Sequence, residues 1–159
     1  MTTTAHATAH ATGSAPTPAM DSRLIGVAHH AARAVLEKVL SRYHVTFQEM
    51  VTLRPVATAG GPVEHDRLVG RTAAALKADE AGVRDVIRQL IAKGLLAAEG
   101  PHLRITDAGQ TFYAGASAET AEIAARIYAG IPAEDLAAAA RVLTTVTERA
   151  EAELAALAS

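Results

Sequence analysis

The stretch from Pro62 to Gly109 changes its periodicity twice, and that change limits what the chain can become. An amphipathic helix comes first, a second helix follows a short turn, and two short strands close the segment. Asp79 is placed to cap the second helix, because its carboxylate can accept from the free N–H groups of the first turn and faces the positive end of the dipole. Val83, Val86, Ile87, Leu90 and Ile91 then recur at spacings of three and four, which puts them on one side. Ala81, Arg84, Asp85, Arg88 and Gln89 fall outside that side. Lys93 and Gly94 end the helix, a cation beside the last carbonyls and a glycine free to turn left-handed. Beyond them Leu95–Ala98 and His102–Ile105, separated by Glu99, Gly100 and Pro101, read as a tight hairpin. Helix, turn, helix and hairpin in that order describe a winged helix-turn-helix.

Alanine carries the largest share of the 50% apolar content while aromatic residues make up only 3%, so closely packed helices are expected over a strand-rich fold. The expected class is mainly α: a winged lobe over residues 46–105 with a small β-hairpin wing, flanked by helices at 21–44 and 106–159 that form a dimerisation region. Residues 21–159 read as a single domain. Residues 1–20 lack apolar periodicity and read as a disordered tail, with His6 and His10 in it an accidental pair. The absence of cysteine fits a reducing compartment and excludes disulfides and thiolate zinc sites. No apolar run approaches the roughly 20 residues of a membrane helix, and no signal peptide is evident, so a cytoplasmic protein without membrane contact is expected. The formal net charge of -2 hides an uneven distribution: Arg23–Arg104 carries +4 and Ile105–Ser159 carries -5. A mildly basic middle suits an approach to phosphate.

Along the chain, a helix from Asp21 or Ser22 to about Tyr43 carries Leu24, Val27, Ala28, Ala31, Val35 and Val39 in one stripe, widened by Ile25, Leu36 and Leu40. Thr46 with Glu49 three residues on forms a capping box for the next helix, and Pro55 is expected to kink that helix near Val51 or break it. A third helix from about Glu64 packs Leu68, Val69, Thr72, Ala73 and Leu76. Thr106 caps a long helix to about Ala129, with Phe112, Ala116, Ile123 and Ile127 able to pack. Gly130, Ile131 and Pro132 interrupt it. The last helix, Ala133 to about Ala158, places Leu136, Ala140, Leu143, Thr147, Ala150, Leu154 and Leu157 along a thin heptad seam. The terminal helices are together too apolar for a monomer, so a homodimer is expected.

With these pieces in place the chain resembles the MarR family of bacterial transcriptional regulators. The resemblance runs from about Leu24 to the C-terminus, through TFQEMVTLRPVA, DEAGVRDVIRQLIAKGLL, LRITDAG and GIPAEDLAAAARVL. It implies a homodimer with interlocked terminal helices, a winged lobe on each side, a pseudo-palindromic site on double-stranded DNA and relief of repression by a small effector. That effector is often phenolic or another anionic aromatic compound, held between the dimer region and the DNA lobe. The sequence departs from the family in its wing, which is short and lacks an acidic residue two positions before its arginine. Ala81 and Gly82 stand where hydroxyl residues are common.

Arg84 and Arg88, one turn apart, can point together into a major groove, where arginine pairs with guanine or phosphate; the plainer reading is a solvated basic face. Asp85 repels phosphate unless it accepts from a cytosine amino group. Ala81, Gly82 and Gln89 complete the candidate reading face. Arg67, Arg71 and Lys77 are lesser phosphate candidates, and His102 or Arg104 offers a backbone contact from the wing. For the effector, Tyr43, Phe47, Met50 and Tyr113 are candidate pocket residues. Arg54, a candidate ligand contact, matches a position commonly arginine in the family, where its plainer role is to support structure rather than meet ligand. His29 and His30 are candidate ligand contacts whose plainer role is one histidine at an interface and one at the surface. Glu64, His65 and Asp66 are adjacent, hence about 100° apart on a helix, and cannot converge on one metal. No catalytic, phosphate-binding, dinucleotide-binding or cofactor motif occurs, so neither an enzyme nor a cofactor is expected. The alternative is a winged-helix module for protein partners that has lost specific DNA binding.

Overall fold

The computed structural model describes residues 20–158, and the tail expected over residues 1–20, including His6 and His10, lies outside them apart from Met20. Contacts divide the chain into a unit ending at Val35 and a second unit, Leu36–Ser159. The first unit holds the opening part of helix α1 (Ser22–Ser41), in which Leu24 and Val27 are exposed. The remaining elements belong to the second unit: α2 (Phe47–Ala57), β1 (Val63–Glu64), α3 (His65–Leu76), α4 (Glu80–Ala92), β2 (Leu96–Glu99), β3 (His102–Ile105), α5 (Asp107–Tyr128) and α6 (Ala133–Leu157).

The winged lobe is built on caps written into the sequence. Thr46 accepts from the Glu49 N–H at 3.2 Å while the Thr46 N–H donates to the Glu49 carboxylate at 2.8 Å, the reciprocal box that starts α2. Asp79 accepts from the Gly82 N–H at 2.7 Å and starts α4. Gly94, at φ +69°, turns the chain out of α4 toward the wing. Helices α2, α3 and α4 then bury Leu53, Val56, Leu68, Val69, Val83, Ile87 and Leu90 against Leu96 and Leu103 of the sheet and Phe112 and Ala116 of α5. Each such leucine or isoleucine contributes about 1.5–3 kcal/mol relative to an exposed position.

The structure refines the expectations for α2 and α3 and corrects those for the sheet and for Ile91. Of the kink or break expected at Pro55, the break does not occur: helix α2 continues through Pro55 to Ala57. Proline stands in the last turn of an 11-residue helix, so the only internal hydrogen bond forfeited is the one its own nitrogen would have made to the Val51 carbonyl. Helix α3, expected from about Glu64, begins at His65 with Glu64 as its N-cap, accepting from the N–H groups of Asp66 and Arg67 at 3.0 and 2.7 Å. Val63 and Glu64 also form a third strand, so the sheet has the antiparallel order β1-β3-β2, with Val63 opposite Leu103 and Glu64 opposite His102. Finally, Ile91 stands exposed while Val83, Ile87 and Leu90 carry the packing of α4.

Within the lobe an ion pair joins α2 to the end of α4. Glu49 is fully buried, and the Lys93 ammonium reaches both its carboxylate oxygens, at 2.7 and 2.8 Å, as well as the His44 carbonyl at 2.7 Å. The carboxylate that closes the capping box of α2 therefore also holds the C-cap of α4. A second joint ties the wing to α5. The Thr106 hydroxyl donates to the Gly94 carbonyl at 2.6 Å and accepts from the Gly109 N–H at 3.0 Å.

Candidate functional site

Helix α4 offers its outer face because its inner face is committed to the core. Ala81, Asp85, Arg88 and Gln89 are exposed, Arg84 is partly exposed, and Gly82 is engaged by the Asp79 cap. Asp85, Arg88, Gln89 and Ala92 line one open recess of about 390 Å³ on this face. The structure thus brings the candidate reading residues together on one side of one helix. It also adds partners that spacing alone left implicit: Arg84 Nη2 lies 2.7 Å from Glu80 Oε2, and the Arg88 guanidinium is bonded to the Asp85 carboxylate.

The flanking cations divide into paired and unpaired. On α3, Arg67 and Arg71 are exposed, and neither has an ion pair among the described residues. Lys77, the left-handed C-cap of α3 at φ +51°, sits 3.1 Å from Glu151 of α6. In the wing, Arg104 Nε lies 2.6 Å from Glu99 Oε1. The hairpin thus supplies its arginine with an acid from the opposite strand rather than from two positions earlier. His102, opposite Glu99 in the ladder, is exposed beside this pair.

The candidate effector residues separate. Met50 and Arg54 of α2 and Tyr113 of α5 line one cavity of about 400 Å³ with Leu36, Ser117, Thr120, Ala121 and Ala124. Its floor is aliphatic and aromatic. Arg54, which has no ion pair among the described residues, shares this lining with the hydroxyl-bearing Tyr113, Ser117 and Thr120. Thr120 spends its proton on the Ala116 carbonyl at 2.7 Å and keeps acceptor capacity. Such an arrangement can hold a carboxylate on the guanidinium and an apolar body against Leu36 and Met50. Tyr43 belongs elsewhere: it meets Phe112 edge-on at 5.2 Å, and the two line a second cavity of about 330 Å³ with His44, Val45, Lys93 and Leu95. Phe47 lines neither. His29 and His30 are exposed on the first part of α1, their rings edge to face at 5.5 Å.

Sequence reasoning missed Ser117 and Thr120, which carry no signal beyond small polar positions one helical turn apart. It also took Lys93 for a helix-end cation, although its main partner is the buried Glu49. Among the described residues no group of three or more His, Asp or Glu side chains could hold a metal ion, and no helix is long and apolar enough to cross a membrane.

No family model matches the chain, and no curated protein matches it in sequence. Solved structures do match. One is MepR, a transcription regulator of the Staphylococcus aureus multidrug efflux pump MepA, at 16% identity and TM-score 0.62, covering 82% of this chain and 98% of that one. CouR from Rhodococcus jostii RHA1 bound to p-coumaroyl-CoA matches at 16% identity and TM-score 0.66, over 77% of this chain and 88% of that one. NadR in complex with 4-hydroxyphenylacetate matches at 19% identity and TM-score 0.66, over 82% and 98%. A MarR-family transcriptional regulator from Rhodococcus sp. RHA1 is among these likenesses as well, at 16% identity and TM-score 0.65 over 77% and 89%. At such identities they show a shared fold, the MarR-like winged helix.

Proposed function

We propose that this chain, which has the MarR-like fold, is a homodimeric, sequence-specific DNA-binding transcriptional regulator of the cytoplasm, a ligand-responsive repressor rather than an enzyme. The observation that carries the reading is the outer face of α4, where Ala81, Asp85, Arg88 and Gln89 stand clear of a helix held rigidly from behind by Val83, Ile87 and Leu90. A helix so presented fits the major groove, with Arg67 and Arg71 of α3 toward phosphate and Arg104 or His102 of the wing toward the adjacent backbone. The exposed apolar residues Ile127, Tyr128, Val142, Leu143, Val146 and Leu154 support pairing of two copies through α5 and α6.

The test is fluorescence anisotropy on the duplex upstream of the chain's own gene, against a scrambled duplex, across a salt series. Specific binding by a ratio of roughly 10³ or more, weakening with salt, is expected. Joint replacement Arg84→Ala and Arg88→Ala is expected to cost about 1–3 kcal/mol per lost base contact, and unchanged affinity in that folded variant refutes the reading face.

The effector belongs in the Arg54 cavity, and its chemistry is that of a small monocarboxylate with an apolar or aromatic body. Titration calorimetry with 4-hydroxyphenylacetate, the compound in the NadR structure, is a direct first probe. Binding that releases the duplex and is lost in Arg54→Ala supports this assignment; binding unaffected by Arg54→Ala moves the site elsewhere. One observation favours the alternative of a protein-binding winged helix: both arginines of α4 are bonded to acids of the same helix. Equal, weak binding of both duplexes is the result that selects it.

A further inference from the structure

The charges of the winged lobe are arranged unevenly. Helix α4 carries Glu80, Arg84, Asp85 and Arg88 and so contributes no net charge, with each arginine bonded to a carboxylate on its own exposed surface. Helix α3, by contrast, presents Arg67 and Arg71 without ion pairs among the described residues. Neither acid is needed for folding in the way that Asp79 is. Asp79 alone supplies the N-cap bond of α4, while the side chains of Glu80 and Asp85 are 55% and 56% exposed.

We propose that Asp85, assisted by Glu80, is a specificity-determining residue that weakens binding to non-cognate duplex and is satisfied only at a G·C-containing step of the cognate site. This rests on the DNA-binding function proposed above. Association with DNA of arbitrary sequence draws on arginine and lysine that displace counterions from phosphate. Arg84 and Arg88 contribute less to that role because the positive charge of each is offset by a carboxylate one turn away, and Asp85 brought against a phosphate oxygen adds repulsion. The cost is relieved where Asp85 accepts from the N4 amino group of cytosine and Arg88 turns to O6 and N7 of guanine. Asp85, Arg88 and Gln89 line one recess, so the acceptor and the guanidinium address neighbouring base edges. Unpaired Arg67 and Arg71 supply the sequence-independent attraction from α3. Affinity and discrimination are thereby divided between the two helices of the turn.

The experiment uses the full chain and a pool of random-sequence duplexes about three helical turns long. Anisotropy gives the affinity for the pool and its salt slope, and rounds of selection from the same pool give the preferred sequence. Asp85→Asn and Glu80→Gln are compared with the natural chain, and circular dichroism checks that α4 persists. Each variant is expected to bind the unselected pool more tightly, with a log–log salt slope steeper by about 0.9 for the one arginine released. Asp85→Asn is further expected to lose enrichment for cytosine at one position per half-site, while Glu80→Gln retains it. If the natural chain selects a sequence but both variants keep its pool affinity and slope, the regulator stands and the role of Asp85 falls. That role falls too if Asp85→Asn tightens binding to the pool and to the selected duplex by the same factor. If the natural chain selects nothing while the variants gain pool binding, the regulator reading falls and the acids remain a block on duplex association.

Discussion

A methyl group at position 109 has nowhere to go. A Cβ built on Gly109 would lie 2.2 Å from the Leu95 carbonyl oxygen and 2.9 Å from Ile105, and the first of these is backbone that cannot swing aside. This is where the first turn of α5 presses on the entry to the wing, and the Thr106 cap binds the two together. Gly109→Ala is expected to lower stability by about 1–3 kcal/mol in thermal or denaturant unfolding, despite the better helix propensity of alanine. A gain in stability would show that the contact relaxes freely. Lys93 yields a second prediction at this scale. Lys93→Met leaves the fully buried Glu49 carboxylate with the Thr46 N–H but without its cation, and a loss of about 3 kcal/mol is expected, the low end for a broken buried pair because Lys93 is partly exposed. Glu49→Gln keeps the cap geometry and leaves a lysine able to turn to water, so it should cost less in the same unfolding measurement. Nothing in the sequence pairs these two residues, 44 positions apart; Glu49 was legible as a capping-box member and Lys93 only as a helix-end cation.

Elements were legible where one residue both starts a helix and has a side chain suited to it. Thr46, Asp79 and Thr106 each bond the backbone as their positions imply. Asp79→Ala is accordingly expected to cost about 1 kcal/mol, read as a fall in unfolding midpoint, and to weaken duplex binding by fraying the first turn of α4 that carries Ala81 and Gly82. An unchanged midpoint would mean that packing alone holds that turn. Elements were illegible where context overrides local preference. A two-residue strand has no periodicity to detect, and β1 exists because Val63 and Glu64 run beside β3, whose ladder with β2 is already formed. Glutamate is an uncommon N-cap, so the sequence carries no cap signal at Glu64, although its carboxylate accepts from the Asp66 and Arg67 N–H groups. Pro55 is tolerated because α2 ends two residues later. The candidate effector residues were legible as types but not as a set: Met50, Arg54 and Tyr113 share a cavity, while Tyr43 turns to Phe112.

At the scale of the molecule, α6 is the element whose presence the chain itself does not explain. None of its residues is buried, although Leu143 and Val146 are each only 41% exposed and Leu154 52%. Its ion pair to the winged lobe, Glu151 with Lys77, is exposed on both sides and worth at most about 1 kcal/mol. A helix of 25 residues with an apolar seam and so little support calls for a covering surface, and in the homodimer proposed above a second copy of the chain would supply the same seam in return. Replacing Leu143 and Leu154 together by glutamate is expected to convert a dimer into a monomer in sedimentation velocity at micromolar concentration. Helical content should be retained, since neither side chain belongs to the buried core. The monomer should also lose most of its preference for a two-half-site duplex over a single half-site, because two lobes bound as one unit act at a raised effective concentration and separate lobes do not. A variant that remains dimeric with its duplex preference intact would place the pairing surface away from the α6 seam, on the exposed end of α5 around Ile127 and Tyr128.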